Sequence, residues 1–181
     1  MNKISINPSD ISKLADAVVE ATTRSFTFFF KDAEEIFDLK RISVVELQIF
    51  QVFHGTAILK SHMRQDGASE QDQAALVDEV ISKFSDNVAR MLHRRNPTPD
   101  GPDFEYWKPE LRERFEYYQA FLDPDPSDAT ILLDVGYKKI FKPGLSNMFA
   151  RPALDSKFGK VFMSAMYIVT VYVEDKYKEL V

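Results

Sequence analysis

Apolar residues recur every three or four positions along most of the chain, a spacing that is typical of amphipathic helices. The first apolar stripe follows Pro8 and predicts a helix over residues 9–38, with Ser9 or Asp10 as its N-cap. Such a helix would measure about 45 Å, whereas a globule of this size is only about 40 Å across. Because the β-branched and aromatic run 22–30 has low helix propensity, we expect a kink or break there.

The second predicted helix, about residues 43–63, begins with a capping box formed by Ser43 and Glu46. In that motif the serine hydroxyl accepts a hydrogen bond from the third amide, and the glutamate reaches back to the cap. Apolar residues surround this helix instead of forming a single stripe. We therefore expect it to be the central, buried element of the fold.

Four more helices are indicated by caps, prolines and apolar spacing. Ser69 caps the third helix, and a proline-broken connection, about residues 96–108, follows it. Pro109 suits the first turn of the fourth helix, and Ser127 caps a fifth. The last helix carries the apolar stripe that begins at Phe158.

The prediction is thus an all-α fold, an irregular bundle of about six helices around the central helix, about 43–63. Residues 1–181 are predicted to form a single domain, since a chain of 181 residues suits one domain.

Composition narrows the class of protein further. Hydrophobic residues make up 45% of the chain, including 15 phenylalanines, seven tyrosines and one tryptophan, which excludes intrinsic disorder. The absence of cysteine excludes disulfides, thiolate metal sites and cysteine nucleophiles. No apolar signal core follows Met1, and the apolar run 161–173 is shorter than the roughly 20 residues that span a bilayer. We expect a cytoplasmic protein without a transmembrane segment.

His54 is the strongest candidate for a ligand site. It lies in the predicted central helix, one turn after Phe50 and beside Gly55. A buried imidazole must either find a hydrogen-bond partner or face a pocket, and the glycine permits close approach of a helix or a ligand. One interpretation is a pocket formed by these three residues for an apolar or planar ligand, such as haem, with the cofactor itself unknown. The other is a core histidine with its hydrogen bond satisfied.

Common catalytic and metal-binding patterns are absent from the sequence. His54 and His62 are eight positions apart and cannot share a metal on one helix. Neither Glu-x-x-His nor His-x-x-x-His occurs, and neither do Gly-x-Ser-x-Gly and phosphate-binding loops. We therefore nominate no catalytic residue and no metal site, and we regard a non-enzymatic protein as the better hypothesis.

Charge is unevenly distributed along the chain. The net charge is −5, and residues 100–128 contain nine acidic and three basic side chains. Residues 137–160 are basic and interleaved with aromatics, which is typical of surfaces that bind anionic membranes or single-stranded nucleic acid. Alternatively, the lysines at the end of the fifth helix only complement its dipole. The acidic net charge argues against nucleic acid as a partner. The candidate anion-binding face consists of Lys138, Lys139, Lys142, Arg151, Lys157 and Lys160.

The aromatic content also predicts self-association. Aromatic side chains and methionines are enriched in interface cores, and Trp107 lies in the proline-broken connection, where burial is hard to arrange. We expect a homodimer, unless the connection folds back and buries Trp107 within its own chain.

Our first hypothesis is a non-enzymatic interaction or regulatory module that self-associates through an aromatic-rich surface, with another protein as a further partner. The second is a small-molecule binder or enzyme with a pocket beside His54, and the third is an anion-binding module that uses residues 137–160.

Overall fold

The computed structural model describes residues 6–95, 97, 101, 103–122, 129–141 and 152–181. Within these residues the chain contains α-helices, one short 3₁₀ helix over Leu39–Arg41 and no strand. An isolated bridge joins Ile42 to Phe141. The prediction of an all-α bundle of about six helices is confirmed. The helices are α1 (Pro8–Ala33), α2 (Val44–Gln65), α3 (Glu70–Arg95), α4 (Trp107–Gln119), α5 (Ala129–Lys139) and α6 (Lys157–Leu180).

The break expected near residues 22–30 is wrong, because α1 is helical from Pro8 to Ala33. Thr22 donates a hydrogen bond from its hydroxyl to the Val18 carbonyl at 2.9 Å, as threonines in helices often do for the residue four positions earlier. Ser25, in the middle of the run, is buried and donates to the Ala165 carbonyl in α6 at 2.6 Å. Packing against α6 thus overrides the low intrinsic propensity of this segment.

The capping box at the start of α2 is only half formed. Ser43 Oγ accepts a hydrogen bond from the Glu46 amide at 3.2 Å, as predicted. The expected return contact is wrong, since the Ser43 amide donates to the Ile140 carbonyl at 2.6 Å. The Glu46 carboxylate instead accepts from Tyr118 Oη at 2.6 Å and from Arg114 Nε at 3.3 Å. Glu46 therefore joins the start of α2 to α4.

Helix α2 contacts each of the other five helices, while α1 and α6 form the most extensive pair. The polar residues Gln51, His54 and Thr56 of α2 are buried together with most of its apolar ones. None of the described helices is long and apolar enough to cross a membrane.

The remaining helix starts agree with the sequence where the structure describes them. Ser69 Oγ accepts from the Asp72 amide at 3.0 Å and caps α3. Helix α4 begins at Trp107, inside the predicted connection, and Pro109 lies in its first turn. The predicted cap Ser127 lies outside the described residues.

Candidate functional site

His54 has a hydrogen-bond partner inside the bundle. It is 8% exposed, and its Nε2 lies 3.0 Å from Thr170 Oγ1 in α6. The Thr170 hydroxyl is positioned to donate its one proton to the Met166 carbonyl at 3.2 Å, which assigns the role of donor to His54 Nε2. Burial lowers the pKa of His54 to about 4, so the imidazole is neutral at pH 7.

The space around Gly55 and Phe50, the two predicted pocket residues near His54, is filled by other side chains. A methyl group added to Gly55 would lie 3.0 Å from Cγ1 of Val169, so the glycine allows α6 to approach α2 closely. The Phe50 ring is fully buried, with its centroid 5.1 Å from that of Tyr118. These contacts favour the interpretation of His54 as a core histidine, and the ligand pocket formed by Phe50, His54 and Gly55 stays a prediction.

A second buried polar contact lies one turn before Gly55 and was missed by the sequence analysis. Gln51 Nε2 donates to Ser25 Oγ at 2.8 Å, and Ser25 in turn donates to the Ala165 carbonyl. Gln51 Oε1 is buried without a hydrogen-bond partner among the described residues. The only signal in the sequence was a glutamine inside an apolar run, which does not reveal its partner.

An open groove lies on the other side of α2, between α2, α3 and α4. Its volume is about 160 Å³. The rings of Phe53 and Phe115 meet edge to face at 5.3 Å on its wall. Because Gly55 is two positions after Phe53, it points roughly 200° away from it around the helix. We call this site the three-helix groove; it is lined by Phe53, Thr56, Ala57, Lys60, Val77, Phe115, Glu116 and Gln119.

The three-helix groove was not predicted from the sequence. Phe53, Val77 and Phe115 belong to the apolar patterns of three different helices, but the spacing within each helix does not reveal whether the three surfaces close completely. The four residues from α2 follow the i, i+3, i+4, i+7 pattern, which marks a shared helix face without saying what covers it.

Polar side chains form the rim of the three-helix groove. Lys60 Nζ donates to Gln119 Oε1 at 3.3 Å, which joins α2 to the end of α4. Glu116 is exposed and makes no ion pair or hydrogen bond through its side chain among the described residues. Arg112, one turn before Glu116, pairs with Asp78 of α3 at 2.9 Å.

Comparison with known proteins does not identify a family for the chain. No protein-family model, no curated protein and no solved structure matches the chain.

The basic segment is divided between two environments. Lys138 pairs with Asp134 in the same helix, and Lys139 Nζ lies 4.5 Å from the centroid of the Tyr117 ring. Lys142 and Arg151 lie outside the described residues. Two other lysines of the segment line a shallow cleft of about 410 Å³ whose residues are Lys31, Asp32, Glu35, Ile36, Lys157, Lys160 and Val161. Because two carboxylates share that cleft, its net charge is small, and anion binding stays a prediction.

Histidines and carboxylates do not converge on a metal site. Within the described part of the chain, no group of three or more such side chains could hold a metal ion. His62 Nε2 lies 3.5 Å from the Glu174 carboxylate, and Tyr177 Oη donates to Asp66 at 2.9 Å. These contacts fasten the end of α6 to the end of α2.

Among the described residues, the exposed aromatic side chains are tyrosines. Tyr106 is 61% exposed and Tyr167 is 68% exposed, whereas every described phenylalanine is at least partly buried. Tyr106 and Tyr117 are eleven positions apart, which places them on the same side of α4. Trp107 is half-buried and packs against the core of its own chain. This contact matches the alternative in which the connection folds back, and the homodimer stays a prediction.

Proposed function

We propose that the protein is a non-enzymatic interaction module whose three-helix groove receives one apolar side chain of a partner protein. The observation that carries this proposal is an apolar groove of about 160 Å³ between three packed helices. An apolar cavity of about 150 Å³ binds benzene, whereas pockets for drug-sized molecules measure about 300–1,000 Å³. The groove therefore suits one ring or one branched aliphatic side chain.

The chemistry of the groove also resembles the centre of a protein interface. Its walls are apolar, with Phe53 and Phe115 in contact, and its rim carries Lys60, Glu116 and Gln119. Interfaces combine an apolar core with a polar rim, and a few buried anchor side chains supply most of the binding energy. Burying one such anchor contributes about 1.5–3 kcal/mol.

Self-association is a second proposed function of the protein, and the exposed side of α4 supports it. Tyr106 and Tyr117 are exposed on it, and aromatic side chains are enriched at interfaces. We therefore propose that the protein is a homodimer, as predicted from the sequence, and that it is cytoplasmic. Sedimentation of the wild type and of the double variant Tyr106→Ala, Tyr117→Ala tests it. We expect a concentration-dependent dimer that the double variant loses, and a monomer of 20.8 kDa at every concentration would refute self-association.

Occupancy of the groove is tested with a probe of matching size. Toluene added to ¹⁵N-labelled protein should shift amide resonances of residues that line the groove. Ala57→Leu should abolish these shifts, because the leucine side chain fills the groove. Ala153→Leu is the matched control, since Ala153 is exposed and does not line the groove. Shifts that persist in Ala57→Leu would show that the probe binds elsewhere.

A further inference from the structure

The rim of the three-helix groove carries one carboxylate that no described residue pairs with. Glu116 is exposed and lies in the last turn of α4, which ends at Gln119. The negative end of the helix dipole disfavours a carboxylate at this place. Arg112, the cation nearest along the same face, pairs with Asp78 instead. A cation on a binding partner would therefore stabilise the charged side chain of Glu116.

The cation on the rim is placed differently. Lys60 Nζ donates to Gln119 Oε1 at the end of α4, where the helix dipole favours positive charge. This contact gives Lys60 a structural role between α2 and α4. Of the two charged side chains on the rim, Lys60 thus has a hydrogen-bond partner, whereas the Glu116 carboxylate has neither an ion pair nor a hydrogen bond among the described residues.

We propose that the partner segment carries an apolar anchor residue with a lysine or arginine beside it. The anchor lies between Phe53 and Phe115, and the cation pairs with Glu116. This inference rests on the proposed function and adds the charge of the partner to it. The apolar contact supplies most of the affinity, and the ion pair supplies discrimination, because exposed ion pairs change affinities by only about 1.5- to 5-fold.

Three capped tripeptides test this inference on the full chain. They are acetyl-Ala-Phe-Lys-amide and the same peptide with Gln or Glu in place of Lys, titrated into ¹⁵N-labelled protein and followed by NMR. We expect the lysine peptide to bind about 1.5- to 5-fold more tightly than the glutamine peptide, and the glutamate peptide to bind most weakly. The differences should shrink at 1 M salt, where the Debye length falls to about 3 Å.

Two kinds of variant separate the groove from its charge. Glu116→Gln should bind all three peptides equally, whereas the matched control Glu113→Gln, on the same helix but outside the groove lining, should keep the preference for lysine. Ala57→Leu and, as a second groove-filling change from α3, Val77→Phe should abolish binding of every peptide. Circular dichroism confirms that each variant is folded.

The outcomes distinguish this inference from the proposed function. If no peptide binds the wild type, the proposed function and the inference both fail. If the peptides bind equally well and Glu116→Gln changes nothing, the groove function stands and the charge preference is wrong. Tightest binding of the glutamate peptide would show that Lys60 sets the preference, which also overturns the inference. A dimer that Ala57→Leu dissociates would identify the occupant as a second copy of this chain and not a different partner.

Discussion

The two sides of α2 differ in how completely they are covered. On the side of Gly55, α1 and α6 approach closely, and Gln51 and His54 form hydrogen bonds to side chains of those helices. On the side of Phe53 and Ala57, α3 and α4 leave a groove of about 160 Å³. Both sides are formed by the same helix.

Residue size contributes to this difference between the two sides. A glycine lets a neighbouring helix approach its backbone, and the bonds of Ser25 and Thr170 fix the position of that neighbour. The groove side instead carries Phe53, whose ring meets that of Phe115 in α4 edge to face, and Ala57, a small residue of the groove lining. An interior without voids requires such complementary sizes, and here they are met on only one side.

The largest expected effect separates a fully buried ring of α2 from a ring that lines the groove. Phe50 is 0% exposed, and its ring lies against Tyr118 and Phe162, so Phe50→Ala should cost about 3–5 kcal/mol of unfolding free energy. Phe53→Ala should cost less, because one side of that ring already faces the groove. Chemical denaturation measures both values. Equal losses would show that the groove is filled as tightly as the core.

The second-largest expected effect is a pH dependence of stability, which His54 causes on the closed side of α2. The pKa of His54 is lowered to about 4 by burial, whereas it is about 6.5 in the unfolded chain. Between these values the unfolded state binds more protons, so His54 lowers stability as the pH falls from 6.5 towards 4. At pH 5 this contribution amounts to about 2 kcal/mol relative to neutral pH.

The comparison of two variants isolates that contribution. His54→Leu should flatten the decline in stability between pH 7 and 5, measured from denaturation midpoints at each pH. His62→Gln is the control, because His62 is half-exposed and pairs with Glu174 at the surface. A decline as steep in His54→Leu as in the wild type would mean that other groups cause it.

The helices were predictable because their signals are local. The spacing of apolar residues, Ser43 and Ser69 as caps and Pro109 in a first turn all act within a few residues of one another. The same local reasoning failed where a distant contact competes. Glu46 pairs with Tyr118 and Arg114 and not with its own cap, because these groups offer it a hydroxyl and a guanidinium.

The groove could not be predicted, because it depends on distances between helices. Phe53, Val77 and Phe115 are ordinary core positions when each is considered within its own helix. Whether their faces meet depends on the crossing of three helices, which no spacing within one helix encodes. His54 shows the reverse case, in which the residue was singled out correctly as buried but its partner Thr170, 116 positions away, could not be foreseen.

The smallest expected effect compares an added methyl group on the closed side with a larger addition on the groove side. Gly55→Ala gains about 1 kcal/mol in helix propensity but places its methyl group 3.0 Å from Val169, and such overpacking costs about 1–3 kcal/mol. We therefore expect a net loss of up to about 2 kcal/mol. Ala57→Leu adds three carbon atoms, yet it should change stability by less than about 0.5 kcal/mol, because the groove has room for them. Denaturation midpoints measure both changes, and a greater loss in Ala57→Leu than in Gly55→Ala would mean that α2 is closed on both sides.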